Sequence, residues 1–317
     1  MGETALVTGC STGIGRETAA QLLDAGWTVY ATARDPADVR DLADRGAETA
    51  ALDVTDPERA EAVVDGVYDD RGRLDCLVNN AGYGQFGPVE DVPMEAVYRQ
   101  FEVNTFGPLR LARAALPRMR ERGRGTIINV TAGVGGLTMP GLGVYTASKF
   151  ALESLTDALR QEVSQYGVDA VTVEPGIVAT DFYDRVLAEV AAYDHSPAYD
   201  DLYAVLDDLG VVEAGGPGVN SPERVAAAIR RAATADRPDP VYRVGPSATL
   251  GTYAAAVVRG RARDRASRLG LGVLSDERAQ RLLRKRDPLG RTGESDSERR
   301  AGRREDRRTR AGEPTDE

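Results

Sequence analysis

The apolar run Ala5-Leu6-Val7 leads without a break into Thr8-Gly9-Cys10-Ser11-Thr12-Gly13-Ile14-Gly15, and this junction constrains the fold more than any other stretch. Glycines at 9, 13 and 15 let the backbone turn sharply and come close to a pyrophosphate. A helix starting there offers free N–H groups and the positive end of its dipole to the same anion. The spacing is Gly-x-x-x-Gly-x-Gly, not the Gly-x-Gly-x-x-Gly of other dinucleotide folds. Gly9, Ser11, Thr12, Gly13, Ile14 and Gly15 are therefore the expected cofactor contacts of this loop.

Downstream, short apolar runs alternate with longer amphipathic stretches, the mark of a parallel sheet covered by helices. Strands are expected at Ala5–Thr8, Thr28–Thr32, Glu48–Leu52, Cys76–Asn79, Gly125–Val130, Ala170–Glu174 and Val241–Val244. Helices are expected to start near Gly13, Ala37, Pro57, Pro93, Val144 and Pro222. Pro57 follows Asp56 and Pro222 follows Ser221, each a capping residue before a first-turn proline. The fold class is thus α/β, a Rossmann-type doubly wound parallel sheet of about seven strands. Residues 1–258 form the expected catalytic unit. Within it, 182–220 break the alternation with Tyr183, Tyr193, Tyr199 and Tyr203 and a Gly215-Gly216-Pro217-Gly218 return, and read as a helical lid over a substrate. Residues 259–290 read as a basic extension able to form helix, and 291–317 as a charged tail too poor in apolar residues to order itself.

The strand at 28–32 ends in Ala33-Arg34-Asp35. An NAD site usually places an acidic residue there for the ribose 2′-hydroxyl. The neutral Ala33 and cationic Arg34 instead favour a 2′-phosphate clamped by Arg34 and Ser11, so NADP is expected over NAD. Asp35 leaves the opposite outcome open. Asp53, after the third strand, is either an adenine ligand or an ordinary cap.

Five motifs then occur in order: the glycine loop, Asn79-Asn80-Ala81-Gly82, Asn104 in Val103-Asn104-Thr105-Phe106-Gly107, Tyr145-Thr146-Ala147-Ser148-Lys149, and Pro175-Gly176-Ile177-Val178-Ala179-Thr180. Tyr145 and Lys149 lie four apart and share one helix face. A lysine ammonium near a tyrosine favours its phenolate and brings the phenol toward the range of a useful base. Over about Thr4 to Arg243 the chain resembles the short-chain dehydrogenase/reductase family, and Val134–Ser154 resembles its hydroxysteroid and retinol dehydrogenase branch. The resemblance implies a hydride exchanged between NADP(H) and a carbonyl or secondary alcohol, with Tyr145 passing the proton. It implies that Lys149 also bonds the nicotinamide ribose and that Asn104 positions a water behind Lys149. Asn80, Ala81 and Gly82 would pack near the cofactor, and Pro175, Gly176, Ile177 and Thr180 beside its nicotinamide. A medium-sized apolar substrate, steroid-, retinoid- or lipid-like, follows from the branch resemblance and the glycine-rich apolar loop Gly135–Val144. A homodimer or homotetramer through helices at about 93–122 and 144–166 is implied as well.

One position departs from the family pattern. Thirteen residues before Tyr145 stands Ala132, where the family has a serine that bonds the substrate oxygen. Loss of one such donor costs about 2.7–4 kcal/mol. Thr131 is the favoured substitute and Thr138 another; the remaining alternative is a catalytically weak or silent dinucleotide-binding scaffold. His195 is the only histidine and Cys10 and Cys76 the only cysteines, so neither a metal site nor a disulfide framework is expected. The net charge of −10 argues against nucleic acid as the main ligand. The 317-residue chain shows no apolar run long enough for a span and no leader pattern at its start, which fits a cytoplasmic location. Lys149 and Lys285 are the only lysines, a bias that fits either a salt-rich cytoplasm or a GC-rich genome.

Overall fold

β-Branched and small apolar residues, alternating in the faces they cover, build a sheet of seven parallel strands: β1 (Thr4–Val7), β2 (Thr28–Ala33), β3 (Glu48–Ala51), β4 (Cys76–Asn79), β5 (Gly125–Val130), β6 (Val168–Pro175) and β7 (Val241–Val244). The computed structural model describes residues 2–133, 138–209, 219–246, 248, 249, 260–262, 264, 265 and 267. The expected return at 215–218, the basic extension beyond 267 and the charged tail lie outside them.

The strand order is β3-β2-β1-β4-β5-β6-β7. Direction of winding reverses between β1 and β4, which opens a crevice at their carboxyl ends, where ligands of such sheets bind. One face of the sheet packs α1 (Gly13–Asp24) and α9 (Pro222–Thr234), through Ala19, Leu22, Val225 and Ile229 against Ala5, Val7 and Val29. The other packs α3 (Pro57–Arg71), α5 (Gly107–Arg122) and α6 (Gly143–Val163), through Val64, Leu111 and Val163 against Leu6, Leu77 and Ile127. Leu6 points one way and its neighbours Ala5 and Val7 the other, the two-residue period of a strand buried on both faces.

Short elements complete the framework: α2 (Arg40–Asp44), α4 (Met94–Phe101), α7 (Phe182–Val190) and α8 (Asp200–Leu209). The continuous helix expected from Pro93 to Arg122 is interrupted. Between α4 and α5 lies a π-helical turn, Glu102–Phe106, which adds a residue to the turn and swings Asn104 inward. The helix expected at Ala37 starts instead as a single tight turn, Pro36–Val39, capped by Asp35, before α2.

Candidate active site

The phosphate loop is braced from β4. The Thr8 hydroxyl accepts from the backbone N–H groups of Asn80 and Ala81, both at 3.0 Å. Asn80 Nδ2 donates back to the carbonyls of Thr8 (3.0 Å) and Gly9 (3.1 Å). Asn80 thus locks the loop shape from behind. Gly15 packs so tightly on the Gly9 carbonyl and the Asn80 amide that no side chain fits there. Gly9 and Gly13 adopt left-handed conformations with φ of 71° and 58°. The Thr180 methyl sits over Gly13. These features fit a dinucleotide: a Cβ-free cradle at a helix N-terminus, open at the switch point of the sheet.

At the end of β2, Asp35 Oδ1 accepts from Ala37 N at 2.9 Å and caps the short turn. It is engaged there rather than directed at a ribose. Arg34 lines a polar cleft together with Ser11, Thr12, Asp38 and Arg185. Arg16, also near, is spent on structure: it pairs with Asp41 at 2.5 Å and donates to the carbonyls of Ser11 and Asp38. Asp53 closes a local turn, its Oδ1 accepting from the N–H and hydroxyl of Thr55.

Asn104 is fully buried and pairs in both directions with the backbone of Tyr83. Its Oδ1 accepts from Tyr83 N (3.1 Å) and its Nδ2 donates to Tyr83 O (2.9 Å) and Ser148 Oγ (3.2 Å). Ser148 in turn donates to the Tyr145 carbonyl at 2.7 Å, which ties the π-turn to the first turns of α6. Gly82 faces both Asn104 and Lys149: a Cβ there would stand 3.0 Å from Asn104 Oδ1 and 3.4 Å from Lys149 Nζ. Lys149 is 6% exposed and donates to the Val130 carbonyl at 3.0 Å. Burial holds its pKa down at about 8. The structure therefore gathers Tyr145, Lys149, Asn104 and Gly82 at the carboxyl ends of β4 and β5.

Tyr145 and Thr131 meet surroundings that the sequence does not show. Tyr145 is half-buried. Burial pushes its pKa up, helped by the nearby Tyr183 and Glu153. Its ring lies 5.5 Å from Phe86 and 5.7 Å from Phe182, in an apolar cluster with Leu142, Val186 and Leu206 that solvates a charge poorly. Thr131, for its part, already has partners in the fold. Its buried hydroxyl donates to the Val173 carbonyl at 3.4 Å, and the Glu153 carboxyl is a second partner for the same group. Ala132 is 7% exposed, and the next residue, Gly133, is held by a 2.6 Å bond to the Pro175 carbonyl. Thr138 is exposed.

The loop after β6 is tied to β7. Gly176 N donates to Val244 O at 2.9 Å, and Asn220 donates to the Ile177 carbonyl from its backbone (2.8 Å) and its side chain (3.0 Å). Of Pro175, Gly176, Ile177 and Thr180, it is Thr180 that lies against Gly13 of the phosphate loop. The helical segment from 182 is stitched to the loop that follows β4. Tyr193 donates to Phe86 O at 2.7 Å, Tyr203 and the Ser196 N–H both bond Asp91, and Tyr199 bonds Glu90 at 2.6 Å. Arg99 pairs with Glu189. His195 stacks on Tyr203 with centroids 3.7 Å apart and bonds the Val190 carbonyl, a packing role. Both cysteines are buried free thiols; burial pushes Cys10 up to about 12, so it is inert at neutral pH.

The sequence reading placed Tyr183 in the lid but missed its packing with Phe86 and Phe182, the raised-pKa Glu153 behind Lys149, and Arg185. Glu153 had a signal, lying four residues beyond Lys149 on the same face. The rings and Arg185 had none, because chain segments distant in sequence bring them to the site.

The comparisons with known proteins agree with this geometry. Residues 3–190 match the family described as short chain dehydrogenase. The chain is 30% identical over 283 residues to an NADPH-dependent 3-dehydrocapnine reductase of Ornithobacterium rhinotracheale, covering 86% of this chain and 99% of that protein. It is 35% identical over 217 residues to retinol dehydrogenase 8 of Bos taurus, covering 65% and 69%. The crystal structure of a short-chain dehydrogenase from Streptomyces avermitilis superposes with a TM-score of 0.71 at 34% identity, covering 80% of this chain and 92% of that one. Among the described residues no helix is long and apolar enough to cross a membrane. With this fold and the residues gathered at its switch point, the chain belongs to the short-chain dehydrogenase family and is an NAD(P)-dependent oxidoreductase.

Proposed function

We propose that this protein reduces an apolar ketone with NADPH. The observation that carries the reading is the half-buried Tyr145, one helical turn before Lys149, with its ring packed against those of Phe86 and Phe182. Burial keeps the phenol protonated at neutral pH, the state needed to donate a proton to a carbonyl oxygen. A bound nicotinamide supplies the hydride. Lys149, its Nζ fixed on the Val130 carbonyl, faces Gly82 together with Asn104, where it can hold a ribose hydroxyl and return a proton toward Tyr145. With Ala132 in place of a hydroxyl and Thr131 bonded to Val173, Tyr145 carries the substrate oxygen with less help than the family pattern provides.

The 2′-phosphate preference rests on Arg34 in a cleft with Ser11, on the engagement of Asp35 in a cap, and on the NADPH dependence of the dehydrocapnine reductase to which the chain is similar. Gly9, Ser11, Thr12, Gly13, Ile14 and Gly15 form the pyrophosphate cradle. Asn80, Ala81 and Gly82 support it, Asp53 borders the adenine, and Pro175, Gly176, Ile177 and Thr180 border the nicotinamide. The described part of the segment, 182–209, acts as the lid, its inner face formed by Phe182, Tyr183, Val186 and Leu206. That wall supports a substrate with a substantial apolar body.

The test is NADPH oxidation with a panel of carbonyl compounds, apolar ketones including 3-dehydrocapnine beside the aldehyde retinal, wild type against Tyr145→Phe. The wild type should turn over an apolar ketone, and the variant should lose about 100- to 10,000-fold in kcat while still binding NADPH. Tight NADPH binding with no turnover of any ketone would overturn the reading.

A further inference from the structure

Helix α7 begins two residues beyond Thr180, whose methyl rests on Gly13, so the lid starts directly over the phosphate loop. One turn further on, Arg185 reaches down to that loop, and its Nη2 donates to Thr12 Oγ1 at 3.1 Å. The same guanidinium lines the cleft that holds Ser11, Thr12, Arg34 and Asp38. Arginines near this cleft are otherwise neutralised, as Arg16 is by Asp41. Among the described residues neither Arg34 nor Arg185 has a carboxylate within ion-pair distance. Two unpaired guanidiniums facing Asp38 alone leave the cleft net positive, in a chain whose net charge is −10.

We propose that Arg185 is a second ligand for the cofactor's 2′-phosphate, opposite Arg34, so that the lid is latched by the phosphate that distinguishes NADPH from NADH. Two guanidiniums on a phosphate dianion form charge-assisted hydrogen bonds from two chain segments at once. One segment, the end of β2, belongs to the sheet; the other is the lid helix that carries Phe182 and Tyr183 against Tyr145. Phosphate binding and closure over the catalytic tyrosine are then one event, and a cofactor lacking the 2′-phosphate leaves Arg185 with the Thr12 hydroxyl alone at that end of the lid. The inference rests on the NADPH reading given above.

The test uses the full chain, with dissociation constants for NADPH, NADH and 2′-AMP in the wild type, Arg34→Ala, Arg185→Gln and Arg185→Lys. Arg185→Gln should weaken NADPH and 2′-AMP at least 10-fold and NADH less than 2-fold, with Arg185→Lys recovering part of the loss. Proteolysis of the lid should be suppressed by NADPH more than by NADH in the wild type, and equally by both in Arg185→Gln. Equal weakening of NADPH and NADH would place Arg185 on the shared pyrophosphate and overturn the proposal, as would no change in either. If the wild type binds NADPH no tighter than NADH, the cofactor reading itself falls. If Arg34→Ala abolishes discrimination and Arg185→Gln does not, only the role of Arg185 falls.

Discussion

Thr131 and Ala132 show what one residue's surroundings decide. Sequence spacing marks the absent serine and suggests the neighbouring hydroxyl as its substitute. In the fold that hydroxyl serves Val173 and Glu153. Thr131→Val should therefore leave kcat within about 3-fold of wild type, as steady-state kinetics would check; a loss of 100-fold or more, the scale of a removed oxyanion donor, would restore Thr131 to the reaction. Glu153 makes a second residue-scale prediction. Burial, then Glu174, raise its pKa, against the Thr131 bond; Asp157 raises it further and Lys149 lowers it, for a net value of about 7. Glu174 is itself paired with Arg243 at 2.9 Å. The folded state thus keeps a proton that the unfolded chain releases near pH 4.3, and stability is lost as pH rises from about 4.3 to 7. Glu153→Gln removes that slope. Its melting temperature relative to wild type should climb by several degrees between pH 4.5 and 7.5, corresponding to about 3 kcal/mol at most. A constant difference across that window would contradict the assignment.

At the scale of elements, the glycine loop and the π-turn do the positioning. Asn80 reaches from the end of β4 into the loop after β1, so the cradle depends on two adjacent strands staying in register. Gly15→Ala would press a methyl onto the Gly9 carbonyl and the Asn80 amide. Because backbone must move to admit it, NADPH binding should weaken at least 10-fold and thermal stability should fall, measurable by titration and calorimetry. The π-turn was not legible in sequence. Val103-Asn104-Thr105 has nothing in its composition to separate it from the helices on either side. What holds the irregular turn is a set of tertiary bonds, from Asn104 to Tyr83 and Ser148, and from Thr105 Oγ1 to the Ser148 carbonyl at 2.9 Å.

On the whole-molecule scale, the exposed apolar surface is informative. Tyr98 on α4, Phe106 in the π-turn, Leu155 on α6 and Tyr166 just beyond it are exposed large hydrophobic groups, and Tyr98 is 64% exposed. They lie on the helices that the family resemblance implies for subunit contact, so these side chains are where that implication can be tested. Tyr98→Asp or Leu155→Asp should shift the protein toward monomer in light scattering, with little change in far-ultraviolet circular dichroism. An unchanged mass for both variants would remove these helices from any interface.

The order of strands and helices, the phosphate loop, and the Tyr145–Lys149 pair were determined by the sequence itself. Each is a local pattern: a two-residue or 3.6-residue apolar period, a capping residue before proline, glycines where no Cβ fits, two side chains four residues apart. Boundaries moved by one or two residues, as for β6, which runs from Val168 to Pro175 rather than from Ala170 to Glu174. Only the tertiary structure decided the apolar surroundings of Tyr145, the partner of the Thr131 hydroxyl, and the meeting of Arg34 with Arg185. The physical reason is common to all three. Desolvation, hydrogen bonding and charge pairing depend on groups brought close by folding from residues tens to more than a hundred positions apart, and no local pattern encodes those distances.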